Sequence, residues 1–182
     1  MHHTLPFYGW LQHRFLKIYM FLIKLTRIPV VGRLGRWLAN SYGRSKHGGY
    51  LITLGEAEQI IDASNSAALG PCSCRQAFHN CDLPIMTEVV VAAGREVYAK
   101  KYNKEFKQIS KEEAKGILRK YHRSNVIHTI MHCQGMFYAI CTCCTCCCVP
   151  YRLKKDYNIE FALIRNKDIV ADYKKQLAEA EA

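Results

Sequence analysis

This sequence contains a dense run of cysteines between residues 141 and 148. The run places six of the chain's ten cysteines within eight residues, in the order Cys-Thr-Cys-Cys-Thr-Cys-Cys-Cys. A second group lies between residues 72 and 81, and one further cysteine precedes the run by eight residues. Thiolates at this density are typical ligands of soft metal ions. The predicted metal ligands are Cys72, Cys74, Cys81, Cys133, Cys141, Cys143, Cys144, Cys146, Cys147 and Cys148.

A disulfide framework is the alternative for ten cysteines, and three observations oppose it. Lys17 and Lys24 interrupt the apolar stretch near the N-terminus, so the sequence lacks a signal-peptide pattern. Adjacent cysteines such as Cys143 and Cys144 are poorly placed to pair within their own cluster. A chain of 182 residues is also long enough to fold without covalent staples. We therefore expect a reducing compartment in which the thiolates bind metal.

The N-terminal third carries most of the excess positive charge. Its first 55 residues contain eight of the 26 Lys and Arg residues and no Asp or Glu. Residues 5–27 have the spacing of an amphipathic helix with a basic flank, and a second helix is predicted from Val30 to Ala39. This pattern is typical of an in-plane membrane anchor, but an arm that packs on a partner subunit also shows it. Residues 5–40 are thus predicted to contact either the membrane periphery or a protein, and no nucleic acid is expected because no binding motif is present.

Short helices and strands alternate along the rest of the chain, which predicts an α+β fold. Capping boxes open helices at Thr53 and Ser110, and the glycines of residues 43–49 indicate a linker. The chain is therefore divided into a basic helical arm, residues 1–48, and a small cysteine-rich metal-binding domain, residues 49–182. The other predicted elements are helices over 53–67, 94–102, 110–123, 150–157 and 167–181, and strands over 86–93, 126–132, 136–140 and 160–165.

The cysteine spacings favour iron–sulfur chemistry over other metals. Zinc sites usually use two ligand pairs separated by two to four residues, and neither cysteine group follows that spacing. Copper(I) accepts dense thiolate arrays, but copper–thiolate proteins tend to lack an apolar framework like this one. A cubane needs four thiolates, so ten cysteines suffice for one or two 4Fe–4S clusters or for one larger, non-standard cluster. Crowding at residues 146–148 argues that seven or eight of the ten cysteines bind metal.

The order of several motifs resembles an iron–sulfur module of anaerobic bacteria and archaea. The matching segments are Pro71-Cys72-Ser73-Cys74-Arg75 with Cys81, residues 110–114, residues 126–129 and the run 141–148. In that module a C-x-C-R…C pattern precedes a helix, a His-Thr step and a C-N-C-C-x-C-C-C element, where Thr142 replaces the Asn. The resemblance covers about residues 69–150 and implies an iron–sulfur cofactor. Many members continue into a ferredoxin domain that this sequence lacks, which implies that electrons pass to a separate protein.

Two further residues are predicted to lie near the cofactor. His128 belongs to the resembling segment, and a histidine there can couple proton transfer to electron transfer. Arg75 follows Cys74 directly, and its charge can offset the negative charge of a cluster bound by four thiolates. The alternatives are a hydrogen-bonded structural histidine and a surface arginine.

These patterns predict an iron–sulfur electron-transfer protein. It would be cytoplasmic, or peripheral at the inner face of the membrane, and would serve a protein redox partner or a larger redox complex. One alternative is a redox enzyme whose non-standard cluster has an open site for a thiol or disulfide substrate. The surplus cysteines favour this enzyme, whereas the lack of an acid–base constellation favours electron transfer. The other alternative is a structural zinc protein.

Overall fold

The computed structural model describes residues 14–91, 106–133 and 135–181, and their elements confirm the α+β class. The described helices are residues 14–22 (α1), Pro29–Ser45 (α2), Leu54–Ala63 (α3), Ser73–Phe78 (α4), Lys111–His122 (α5), Val149–Tyr157 (α6) and Ile169–Glu181 (α7). The strands are His47–Ile52 (β1), Ala67–Pro71 (β2), Met86–Val91 (β3), Lys107–Ile109 (β4), Ile127–Cys133 (β5), Met136–Cys143 (β6) and Leu163–Arg165 (β7). Short 3-10 helices span Ile23–Arg27 and Glu160–Ala162.

The seven described strands form one mixed sheet in the order β4-β2-β3-β6-β5-β1-β7. Only the β1–β7 pair is parallel, and the remaining pairs are antiparallel. The predicted hairpin is confirmed as β5 and β6, in which Ile130 lies opposite Ile140. This hairpin carries the chain directly into the cysteine run, because β6 ends at Cys143.

Several predicted boundaries differ from the structure. Both capping boxes form, at Thr53 and at Ser110, but the first helix ends at Ala63 and strand β2 begins at Ala67. Residues 43–49, predicted as a linker, are the end of α2 and the start of β1. Their glycines permit close packing, since a Cβ at Gly43 would lie 2.9 Å from the carbonyl oxygen of Phe161. The predicted helix 94–102 and residues 5–13 of the arm lie outside the described residues. The division at residues 48 and 49 stays a prediction.

The buried apolar side chains form a main core and a separate cluster beneath the arm. One face packs on α3, α5 and α7 and forms the main core, where Leu118, Ile130 and Ile140 are fully buried. Each such side chain stabilises the fold by about 1.5–3 kcal/mol. The arm instead packs through Leu16, Met20 and neighbouring residues against α6 and its flanking residues. None of the described helices is long and apolar enough to cross a bilayer.

Candidate metal centre

Strand alternation determines where the cysteines of the run point. Cys141 and Cys143 lie two residues apart on β6, so their side chains emerge on the same face of the sheet. The chain then makes a tight turn in which the amide of Cys148 donates to the carbonyl oxygen of Cys144 at 3.1 Å. Cys148 is the N-cap residue of α6, and Pro150 occupies its first turn. The run therefore divides into strand, turn and cap positions that face different neighbours.

The short helix α4 supplies the remaining cysteines of the site. Cys72 is its N-cap residue, Cys74 lies in its first turn, and Cys81 follows three residues after its end. His79 ends α4 in the left-handed conformation, with φ of 47°, which redirects the chain toward the turn of the run. Asn80 then holds the two segments together, because its amide donates to Sγ of Cys147 at 3.3 Å and its side chain donates to the carbonyl oxygen of Cys146 at 2.9 Å.

Four cysteines converge in what we call the outer group: Cys81, Cys144, Cys146 and Cys147. Their four Sγ atoms lie within 4.8 Å of one another. The Sγ of Cys81 is 3.5 Å from the Sγ of Cys144 and 3.9 Å from the Sγ of Cys147. The Sγ atoms of Cys146 and Cys147 are 3.8 Å apart. Four thiolates around one zinc ion at about 2.3 Å form a tetrahedron with edges of about 3.8 Å. The outer group could thus hold one tetrahedral ion.

The other cysteines of the two segments form a second cluster, which we call the inner group: Cys72, Cys74, Cys141, Cys143 and Cys148. The thiols of Cys141 and Cys148 both hydrogen-bond to the sulfur of Cys143. Further donors also point at this sulfur cluster: the hydroxyl of Thr129 lies 3.3 Å from Sγ of Cys143, and the amide of Val149 donates to Sγ of Cys74 at 3.4 Å. Neighbouring donors therefore already contact two sulfurs of the inner group, as donors commonly do at metal–thiolate centres.

The inner group forms one side of a cavity of about 760 Å³. Its opposite wall is apolar and includes Ile18, Leu22 and Tyr42 of the arm. Glu88 contributes a carboxyl group beside the cysteines, and burial together with the negative charge of Cys143 raises its pKa to about 8. Glu88 is not among the residues predicted from the sequence, although a single carboxyl group within the apolar strand 86–91 is a signal for it.

Arg75 links the two cysteine groups and is almost completely buried, with 1% of its surface exposed. Its Nη1 donates to the carbonyl oxygen of Pro84 at 2.8 Å and to the hydroxyl of Thr87 at 2.7 Å, and its Nη2 donates to the carbonyl oxygen of Thr142. The guanidinium also hydrogen-bonds to the sulfur of Cys144. The alternative of a surface arginine is therefore wrong. A buried cation requires a counter-charge, and the thiolates of the site are placed to supply it.

The thiols differ in their acidity because their neighbours differ. Although partial burial acts against ionisation, hydrogen bonds from Arg75 and from the amide of Cys147 lower the pKa of Cys144 to about 7. Hydrogen bonds from Cys141 and Cys148 lower the pKa of Cys143 well below its usual value. Burial instead raises the pKa of Cys72 to about 12. Each group thus contains one thiol that ionises readily and so is prepared to be a metal ligand.

Two predicted site residues lie apart from these groups. Cys133 is four residues beyond Thr129 on β5, a separation of about 13 Å along an extended strand. His128 lies opposite Thr142 and therefore on the sheet face turned away from Cys141 and Cys143. Its Nε2 is 3.2 Å from Nδ1 of His122, and the two rings stack. The predicted roles of Cys133 as a ligand and of His128 beside the cofactor stay predictions.

The burial of His128 predicts a pH dependence of stability. Burial and the neighbouring His122 lower the pKa of His128 below its ordinary 6.5, against a smaller opposite effect of Cys143. As the pH falls below about 6.5, the unfolded chain therefore binds more protons than the folded chain does. The free energy of unfolding decreases as a result. We expect His128→Gln to show a smaller loss between pH 7 and pH 5, measured by urea denaturation. Acid also removes metal, but it does so from both proteins. An equal loss of stability in the parent and the variant would therefore contradict the prediction.

No family model, curated protein or solved structure matches the chain. What the fold and the site define is a cysteine-rich α+β protein with a four-cysteine group that could hold a metal ion.

Proposed function

We propose that this chain is an iron–sulfur electron-transfer protein with two metal centres. The inner group binds an iron–sulfur cluster, and the outer group binds one zinc ion that fixes the cysteine turn to α4. The observation that carries the proposal is the separation of nine of the ten cysteines into two groups. One group brings four sulfurs within 4.8 Å of one another, and all five members of the other line the cavity. A cluster bound there would accept and release one electron at a time.

The assignment of zinc to the outer group rests on its sulfur–sulfur distances. In a cubane each thiolate binds a different iron atom, so the four sulfurs stand further apart than the ligands of a single ion. Three of the six distances among the outer sulfurs are 3.5 to 3.9 Å and all six are within 4.8 Å, which fits the single-ion tetrahedron better. Zinc has no redox chemistry and a closed four-thiolate site leaves no open position, so this centre has a structural role.

The assignment of an iron–sulfur cluster to the inner group rests on its donors and its surroundings. The group has five thiols where a cubane needs four, and amide and hydroxyl donors already point at its sulfurs. Such donors, together with exclusion of water, set the potential of a cluster. Both segments that supply the thiols belong to the resembling motif, which implies the same cofactor. Electrons then pass to a separate protein redox partner.

The metal content of the purified protein tests the two-centre arrangement. We expect anaerobically purified protein to contain about four iron, about four acid-labile sulfide and one zinc per chain. Exchanging Cys72 and Cys74 for serine should remove iron and sulfide but retain zinc. Exchanging Cys146 and Cys147 for serine should remove zinc but retain iron and sulfide. Plasma emission analysis, sulfide assay and EPR of the reduced protein measure these contents. Zinc without sulfide would contradict the iron–sulfur assignment, and iron without zinc would contradict the assignment of the outer group.

The cavity favours a second candidate function, a redox enzyme. Six cysteines line it, including all five of the inner group, and a volume of about 760 Å³ suits a small molecule. Its apolar opposite wall favours an apolar substrate over a polar thiol. The two functions are distinguished by adding an apolar quinone probe to the reduced protein. A changed EPR signal of the inner centre would favour the enzyme, and an unchanged signal would favour electron transfer alone.

A further inference from the structure

Many large apolar side chains of the arm are exposed, although others pack on the body of the protein. Among the described residues, every exposed large apolar side chain except Met86 lies between residues 15 and 42. On α2 the exposed residues include Val30 at 84%, Leu34 at 60% and Trp37 at 65%. These three residues are spaced by four and three positions, so they share one face of the helix.

The opposite face of α2 packs on its neighbours through small residues. A Cβ at Gly32 would overlap the carbonyl oxygen of Thr26, and one at Gly43 would lie 2.9 Å from that of Phe161. The helix therefore has large apolar residues outside and glycines inside, the reverse of the pattern on a helix that only completes a core. An apolar stripe along two helices exceeds the scattered apolar residues normal on a soluble surface.

The charge of the arm selects the kind of surface that covers this stripe. Residues 14–46 contain eight Lys and Arg and no acidic residue. Arg27 and Arg44 hold the arm to the body through the rings of Tyr157 and Phe161. Arg36 donates a hydrogen bond to the carbonyl oxygen of Thr26 within the arm. Arg14, Lys17, Lys24 and Arg33 are exposed beside the stripe. Basic residues that flank a stripe containing Trp, Phe and Leu are complementary to the headgroups and acyl chains of an anionic bilayer.

We propose that the outer faces of α1 and α2 dock in the plane of an anionic membrane surface. The apolar stripe enters the boundary between headgroups and acyl chains, and the exposed basic side chains contact lipid phosphates. Ile18, Leu22 and Tyr42 belong both to this exposed surface and to the wall of the cavity beside the inner group. Docking therefore brings that wall close to the bilayer. The proposal does not depend on which metal the cysteines bind.

Vesicle flotation of the full-length, metal-loaded protein tests the proposal. We expect binding to phosphatidylcholine vesicles that contain phosphatidylglycerol, and weak binding to phosphatidylcholine alone. Val30→Ser, Leu34→Ser and Trp37→Ser combined should lower the partition coefficient by about 100-fold, because each exchange removes a side chain that is buried only in lipid. Because these side chains are exposed, the variant should retain its metal content and its circular dichroism spectrum.

Met86→Ser is the matched control, since among the described residues Met86 is the exposed large apolar side chain outside the arm. This variant should bind vesicles like the parent. Absence of binding to anionic vesicles would overturn the proposal. A dimer in solution would also overturn the proposal if the triple exchange dissociates it and the parent does not bind vesicles. A second copy of the chain would then cover the stripe. Equal binding to both vesicle types would overturn the role given to the basic residues.

Discussion

Cys81→Ala is expected to lower the free energy of unfolding by about 4 kcal/mol, the largest effect of any single cysteine exchange outside the inner group. Cys81 is the one outer ligand supplied by the segment after α4, and it lies 63 positions before Cys144. A metal ion that joins these residues closes a long loop, as a disulfide would, and a closure of this length contributes about 4 kcal/mol in the chain-entropy model. The cross-link is lost even if the other three thiolates retain the ion.

The melting temperature measures this loss. For a chain of this size about 4 kcal/mol corresponds to a decrease of about 10 °C. Cys133→Ala is the control, because Cys133 belongs to neither cysteine group and should leave the zinc content unchanged and the melting temperature near that of the parent. Equal melting temperatures for Cys81→Ala and the parent, under anaerobic conditions and with zinc bound to the parent, would show that the outer group holds no structural ion.

Local signals in the sequence predict much of the fold. Both capping boxes, at Thr53 and Ser110, form hydrogen bonds within four consecutive residues, so they need no knowledge of the rest of the chain. The β5–β6 hairpin follows from a β-branched segment before Gly135 and an apolar, aromatic segment after it, and Gly135 adopts a φ of 87°. Strand β1 was missed because its residues His47-Gly-Gly suggest a turn, and its pairing with β5 and β7 depends on distant residues. Glycine there allows the close approach of neighbouring elements rather than a flexible link.

The division of the cysteines into two groups could not be predicted from spacing alone. Cys143 and Cys144 are adjacent in sequence but belong to different groups, because the strand ends between them and the turn begins. The burial of Arg75 was equally hidden, since its partners Pro84, Thr87 and Thr142 come from other segments. Thiol density predicts that metal is bound, whereas the tertiary structure determines how many ions and which ligands each has.

Arg75→Met is expected to lower the free energy of unfolding by about 3–5 kcal/mol and to weaken zinc binding. Its buried guanidinium hydrogen-bonds to Cys144 and to the backbone of both Pro84 and Thr142, and removing one partner of a buried charged contact leaves the others uncompensated. Because the hydrogen bond from Arg75 favours the thiolate of Cys144, its loss should reduce zinc affinity by about 10- to 100-fold, as exchanges of residues that orient metal ligands do. Urea denaturation and competition with a chromogenic chelator measure the two effects.

Two further variants separate the role of Arg75 from a general loss of positive charge. Arg75→Lys keeps the charge but not the planar fork that reaches several acceptors, so it should lie between the parent and Arg75→Met in both measurements. Arg119→Met removes an arginine whose ion pair with Glu58 at 2.6 Å is at the surface, and exposed pairs contribute little to stability. It should leave zinc affinity unchanged. If Arg75→Met matched Arg119→Met in free energy of unfolding and zinc affinity, the buried guanidinium would not be the counter-charge of a metal–thiolate centre. The two cysteine groups would then be linked through the backbone alone.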